Sequence, residues 1–380
     1  MPPINLLIKP ASAACNMVCE YCFYNDVAAS RLCGFKGFMQ VEMLEQLVKE
    51  ALEYADGMCG FAFQGGEPTL VGLDFYRKLI EFQQKYNHKK LRINNAIQTN
   101  GFAINQEWAE FLHRHHFLVG LSLDGTRELH DRNRHDKSGG GTFQRVMAAA
   151  RLFDREKVEY NILSVVTGQN AKHIESSYRF FRKQGFRYLQ FIPCLEPFAE
   201  EKGMAGYALT NSDYEHFLTK IFDLWFMDLK KGEYISIRHL DNWLGIFLGR
   251  PPEACSMQGR CSVQFVVEGN GEVYPCDFYV LDEWLLGKIG EVSLAEMQGS
   301  DKAKRFIAES IPLPEECRTC RYVQLCRNGC KRERVMTGEG AAKLYYCPAV
   351  KGFFAGREKE LEQAAAILQR MIRGQMRGEK

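Results

Sequence analysis

The sequence carries almost no excess charge: 49 Lys and Arg face 47 Asp and Glu, a formal net of +2. Without a strong basic field, nucleic acid or an anionic membrane surface is not an expected partner. A long hydrophobic run is also missing, since no stretch reaches the roughly 18 apolar residues of a membrane span. The N-terminal MPPINLLIKPAS has neither a basic n-region nor an extended apolar core, so no signal peptide is expected. A cytoplasmic protein follows. In that setting the 14 cysteines read as metal ligands or catalytic thiols rather than disulfides. A dinucleotide-binding glycine fingerprint is absent as well. SGGGT, Ser138 to Thr142, has the wrong spacing and follows no strand. The basic tail RMIRGQMRGEK reads as a solvated helix end.

What is present is a chain of 380 residues with 46% apolar and 25% charged content, ordinary for a globular protein and long enough for two domains. Short apolar runs alternate with amphipathic stretches. INLLIK from Ile4, GFAFQ from Gly60, LRINNAIQ from Leu91, FLVGLSL from Phe117, VEYNILSVV from Val158 and RYLQFI from Arg187 predict strands. Between them apolar residues recur three and four apart, as at Val41, Leu44, Leu47, Val48, Ala51 and Leu52. Six strand–helix repeats predict parallel strands with right-handed crossovers, hence an α/β partial (β/α)6 TIM-like barrel. Past about residue 235 the pattern becomes turn-rich, with a hairpin predicted at Asn270-Gly271 and a charged helix from Lys351. The predicted domains are therefore 1–235, the barrel, and 236–380, a small cysteine-rich domain with a hairpin and a C-terminal helix.

The polar motifs keep phase with the strands. CNMVCEYC follows the first, QGGEP the second and QTNG the third; SLDG ends the fourth, Ser164 lies near the end of the fifth, and PCLEP follows the sixth. In a barrel such points share the C-terminal face, where active sites are built.

Cys15, Cys19 and Cys22 offer three thiolates, one short of a closed tetrahedral or cubane set. A cubane on these three leaves one iron open to a small chelating ligand. The second domain has eight cysteines: Cys255, Cys261, Cys276, Cys317, Cys320, Cys326, Cys330 and Cys347. The run from Cys317 to Cys330 suits zinc when taken alone. The incomplete set Cys255, Cys261 and Cys276, however, must borrow a ligand. In two-cluster ferredoxins the last cysteine of such a run serves the other cluster. By that logic Cys330 completes the first set, and Cys347 completes Cys317, Cys320 and Cys326; the spacing alone allows other partitions. Cys59 and Cys194 read as packing residues, and Cys33 lies in a Gly-rich loop without an evident partner. His113, His115 and His116 read as a helix end favoured by the dipole.

C-x3-C-x-aromatic-C, with Tyr21 as the aromatic, and GGEP from Gly65 to Pro68 resemble the signatures of the radical S-adenosylmethionine (SAM) enzymes. The eight-cysteine region resembles a SPASM domain. IKPASAACNMVCEYCFY, FAFQGGEPTL, QTNG, VGLSLDG and QFVVEGNGEVYPCDFYVLD are similar, nearly run for run, to the anaerobic sulfatase-maturating enzymes, over about Ile4 to Pro348. That resemblance implies three 4Fe-4S clusters and SAM as cofactors. It further implies oxidation of a peptidyl cysteine or serine, in a C/S-x-P/A-x-R segment of an unfolded or nascent sulfatase, to formylglycine. It implies cofactor contacts at Tyr21, Gly66, Ser122, Arg134 and Leu195, and an electron donor such as flavodoxin or ferredoxin. Arg134 suits a carboxylate clamp.

Asp277 is the candidate base. It directly follows Cys276, and the resemblance points to the same position. The competing reading is an ordinary carboxylate at a strand end in water. Asp124 of SLDG is the rival, suited to orienting a ribose or a loop, while Tyr24 and Gln64 lie beside motifs where a peptide would pass. Two other functions compete. A SPASM enzyme that forms thioether crosslinks commonly carries an N-terminal leader-binding domain, and a first strand at Ile4 leaves no room for one. An iron–sulfur electron carrier has no use for an open iron.

Overall fold

The computed structural model describes residues 3–338 and 340–376, so the last four residues of the basic tail lie outside the described chain. Fourteen strands appear among the described residues: β1 Ile4–Lys9, β2 Met17–Cys19, β3 Met58–Phe63, β4 Arg92–Thr99, β5 Leu118–Ser122, β6 Arg134–Asp136 and β7 Tyr160–Val166 come first. They continue as β8 Tyr188–Pro193, β9 Ser236–Ile237, β10 Val266–Glu268, β11 Glu272–Tyr274, β12 Gly287–Lys288, β13 Arg334–Met336 and β14 Ala342–Leu344. β1, β3, β4, β5, β7 and β8 fall on the six predicted runs, and helices of 14 residues at Val41–Tyr54, Leu73–Tyr86 and Phe143–Glu156 follow the predicted amphipathic stretches.

Contacts divide the chain into two compact units that do not follow chain order. The first comprises residues 1–123, 130–161 and 262–309, so the hairpin at Asn270-Gly271 belongs with the N-terminal strands. Its sheet runs β12-β11-β10-β1-β3-β4-β5. β1, β3, β4 and β5 are parallel, with Leu6 opposite Phe61 and Ala62 opposite Ala96. β10 adds to the free edge of β1 in parallel, and β11 turns back antiparallel to it. Phe61 and Phe63 on β3 are buried, each worth about 2 kcal/mol or more in removed apolar surface. Because the strands share a direction, the cysteine trio, QGGEP, QTNG and Ser122 all emerge at one edge of this sheet.

The second unit comprises residues 124–129, 162–261 and 310–380. β7, β8 and β9 are parallel there, and β13 and β14 form a separate hairpin. Its core is aromatic. Trp243 meets Phe353 and Phe354, and Phe354 meets Tyr322, with ring centroids 5.4, 5.0 and 5.6 Å apart. The predicted tail helix is present as Cys347–Met376. Among the described residues no helix is long and apolar enough to cross a membrane.

Candidate active site

In the first unit the thiol trio lies on a short ribbon rather than a loose loop. β2 pairs antiparallel with β6, which sets Cys19 opposite Arg134. Arg134 is buried, not a surface residue, and its Nη1 donates to the Tyr21 hydroxyl at 2.9 Å. Cys15 Sγ accepts from the Met17 amide at 3.4 Å and from Asn100 Nδ2 at 3.7 Å. Burial pushes the Cys15 thiol up to about 12, with the neighbouring Glu67, Cys19 and Cys22 adding to the shift, and burial raises Cys22 as well. Metal binding offsets such a rise, because cysteine ligates as the thiolate.

The GGEP turn is locked against the trio. A Cβ on Gly66 would lie 2.0 Å from the Ala14 carbonyl oxygen, so only glycine lets the two backbones approach. Glu67 is buried and fully used. Oε1 accepts from Thr69 N, Thr69 Oγ1 and Thr99 Oγ1 at 3.1, 2.6 and 2.8 Å, and Oε2 from Asn100 N at 2.8 Å. Burial raises Glu67, and these hydrogen bonds oppose the rise. Glu67 therefore ties GGEP to QTNG, and Asn100 in turn donates to Asn16 Oδ1 at 2.8 Å. Ser122 is buried at the end of β5.

Asp277 is not a carboxylate in water. It opens the one-turn helix Asp277–Tyr279 and is 6% exposed. Its Oδ2 accepts from the Tyr24 hydroxyl at 2.7 Å and from Gln64 Nε2 at 2.8 Å. Its Oδ1 is buried with no hydrogen-bond partner among the described residues. Burial raises Asp277 above the ordinary carboxylate range, and the Lys9 charge opposes that rise. Burial also raises the Tyr24 phenol, reinforced by Asp277, so Tyr24 remains a donor.

The sequence reading missed the ion cluster beneath this carboxylate. Lys9 Nζ lies 3.0 Å from Glu268 Oε1, and Arg31 Nη1 lies 2.7 Å from the same oxygen. All three are buried. The available signal was a charged residue closing each of two apolar strands, INLLIK and VVE.

In the second unit, Cys317, Cys320, Cys326 and Cys347 are mutual electrostatic neighbours. Burial pushes Cys326 up to about 12, and the other three thiols add to the rise. Cys330, raised by burial, feels Cys261 and Cys255. Leu195 and Cys194 are buried in this unit, whereas Cys276 belongs to the first. Asp124 is buried and accepts from the Val165 amide at 3.0 Å, a loop-holding role. Cys59 is buried, and the exposed Cys33 donates to the Phe35 carbonyl at 3.2 Å. His113 sits in the last turn of the helix Gln106–Arg114.

Among the described residues no three His, Cys, Asp or Glu side chains are set to hold a single ion. A cubane, which places each thiolate on its own iron, asks for a wider spacing. The half-buried thiol groupings and the backbone cradle at Gly66 fit such a group.

The chain matches the radical SAM superfamily over residues 10–181 and an iron–sulfur cluster-binding domain, SPASM, over residues 255–321. It is 48% identical to the cysteine-type anaerobic sulfatase-maturating enzyme of Clostridium perfringens, covering 93% of this chain and 96% of that protein. Identity to the serine-type enzyme of Bacteroides thetaiotaomicron is 32%, over 93% of this chain and 88% of that one. The solved structure of native anSMEcpe with bound AdoMet and Cp18Cys peptide superposes with a TM-score of 0.92 at 47% identity, covering 97% of this chain and 100% of that one. The α/β partial-barrel class with a following cysteine-rich region holds. This is an iron–sulfur and SAM-dependent enzyme fold with a peptide-modifying lineage, and the chain belongs to the anaerobic sulfatase-maturating enzymes of the radical SAM superfamily.

Proposed function

We propose that this chain oxidises a cysteine within a C-x-P-x-R segment of an unfolded sulfatase to formylglycine, using three 4Fe-4S clusters. The preference for cysteine is supported by 48% identity to a cysteine-type relative against 32% to a serine-type one. Cys15, Cys19 and Cys22 hold the first cluster; Cys255, Cys261, Cys276 and Cys330 the second; Cys317, Cys320, Cys326 and Cys347 the third. The neighbourhood of Cys330 includes Cys261 and Cys255, and that of Cys326 includes Cys317, Cys320 and Cys347, which supports those groupings; Cys276 is assigned by the family resemblance. Domain boundaries at 1–235 and 236–380 remain our division of the chain. The reducing conditions such thiols need point to the cytoplasm, with a flavodoxin or ferredoxin as electron donor.

When bound, the first cluster and SAM supply a 5′-deoxyadenosyl radical that takes a hydrogen atom from the target Cβ, and the other clusters supply a one-electron acceptor. The protein's residues do the rest. Arg134 binds the cofactor carboxylate, Gly66 offers backbone to its amine, and the family resemblance adds Tyr21, Ser122 and Leu195 as further cofactor contacts. Asp277 takes the thiol proton as the remaining electron leaves, which forms a C=S bond. Water then replaces sulfur with oxygen and releases hydrogen sulfide.

The observation that carries this reading is the half-partnered Asp277: Oδ2 is fixed by Tyr24 and Gln64, while buried Oδ1 is left to accept a proton. The test is anaerobic incubation of reconstituted protein with SAM, a reductant and a C-x-P-x-R peptide. Mass spectrometry should find a product in which oxygen replaces sulfur and two hydrogens are lost. SAM cleavage without that product would remove the sulfatase assignment.

A further inference from the structure

Lys9 poses a problem of charge. Glu268 is already matched by Arg31, whose Nη1 reaches Oε1 at 2.7 Å while Nη2 donates to the Gly34 carbonyl at 2.6 Å. A second buried cation meets the same oxygen at 3.0 Å, beyond what that pair needs, and its charge also acts on the buried Asp277 carboxyl, opposing the rise that burial imposes. The same Nζ lies 4.8 Å from the centroid of the Tyr24 ring, over its face. The Tyr24 hydroxyl at the other end of that ring holds Asp277 Oδ2. The Lys9 stem is also in place: a Cβ on Gly65 would lie 3.1 Å from both its Cβ and Cγ, so the GGEP turn packs onto it. All of these residues belong to the first unit.

We propose that Lys9 is a positioning residue for the oxidation, holding the Tyr24 ring by a cation–π contact so that Tyr24 presents Asp277 with Oδ1 free. Glu268 and Arg31 anchor Lys9 and set the height of its ammonium over the ring. The chain of contacts runs Arg31, Glu268, Lys9, Tyr24, Asp277, and each link is a direct contact in the structure. This proposal rests on the reading of Asp277 as the base. A buried cation–π contact has the strength to matter here, because desolvation removes the competition from water.

The experiment uses the full chain with its clusters reconstituted, and reads formylglycine formed per 5′-deoxyadenosine released. Lys9→Met keeps the stem and leaves Glu268 paired with Arg31; the ratio should fall about tenfold, while affinity for the peptide does not change. Lys9→Arg should recover most of the ratio, which a merely space-filling role would not require. Tyr24→Phe should lower the ratio on its own, and Lys9→Met added to it should lower it no further, since the two act in series. A wild-type ratio in an iron-replete Lys9→Met protein overturns the proposal. Additive losses overturn it as well, because Lys9 would then act by another route, directly on Asp277 or on Cys22, both of which feel its charge. If Lys9→Met does not load iron, Lys9→Gln, uncharged but still a donor to Glu268, carries the same test. Asp277→Asn separates the two readings: a full ratio in that variant removes the base, whereas a lost ratio there with a full one in Lys9→Met removes only Lys9.

Discussion

Two sets of thiols, one in each compact unit, are built on opposite plans. Cys15, Cys19 and Cys22 number three and sit where Gly66 lets a second backbone come within contact of Ala14. Cys317, Cys320, Cys326 and Cys347 number four, and the Cys326 amide donates to the carbonyl of Tyr322, whose ring meets Phe354. The three-thiol set is surrounded by polar groups that are themselves tightly tied, namely Glu67, Asn100 and Arg134. Within the four-thiol set Cys326 has the other three thiols as charged neighbours, while Cys317 and Cys347 also face Glu316 and Lys343. An unsaturated set needs an environment able to hold an exchangeable ligand, whereas a saturated one needs only shelter, and shelter suits electron transfer.

The comparison breaks most visibly at the trio. Cys22→Ala should abolish SAM cleavage altogether, measured as 5′-deoxyadenosine release, because two thiolates do not retain the open-iron cluster. Next in size is Asp277→Asn, where formylglycine formed per cofactor cleaved should fall by about 10²- to 10⁴-fold, read by mass spectrometry. Cys347→Ser sharpens the contrast: on the proposed three-cluster loading it should remove about four of twelve irons per chain, by iron assay, since the proposed quartet has no spare ligand. A smaller effect is expected at Glu67. Replacing it with Gln withdraws an ionised acceptor from Thr69, Thr99 and Asn100 and should cost about 1–3 kcal/mol in a denaturant melt.

The smallest expected effect lies in the second unit. His239 is enclosed by Phe191, Phe217 and Trp243, and burial pulls it down to about 3. Its folded value lies below the ordinary value of about 6.5 for an unfolded histidine, so the unfolded chain binds the extra proton. Its contribution is present above that value and is lost as pH falls from there towards 3. Thermal melts across that window should lose part of their pH slope in His239→Phe.

Much of this was legible in the sequence for a physical reason: cluster ligands must sit at fixed spacing, and strand-end motifs must keep phase with a parallel sheet. Cys15 to Cys22, GGEP and the six strand runs obey both constraints. Lys9 and Glu268 were not legible because each closes a strand whose neighbours are apolar, and their meeting depends on β10 adding beside β1 across more than 250 residues. The family resemblance marks Arg134 as a carboxylate clamp, but its burial was not legible, and only its pairing opposite Cys19 shows it. The contact units escaped the sequence for the same reason. Turn chemistry announces the hairpin at Asn270-Gly271 but does not say which sheet receives it.

The measurement that bears most directly on the account is hyperfine spectroscopy of the reduced, reconstituted protein with SAM carrying ¹⁷O in its carboxylate and ¹⁵N in its amine. The account predicts couplings from both labels to the first cluster, lost in Arg134→Ala for the carboxylate. A fully loaded protein whose spectra do not change on adding labelled SAM would contradict it.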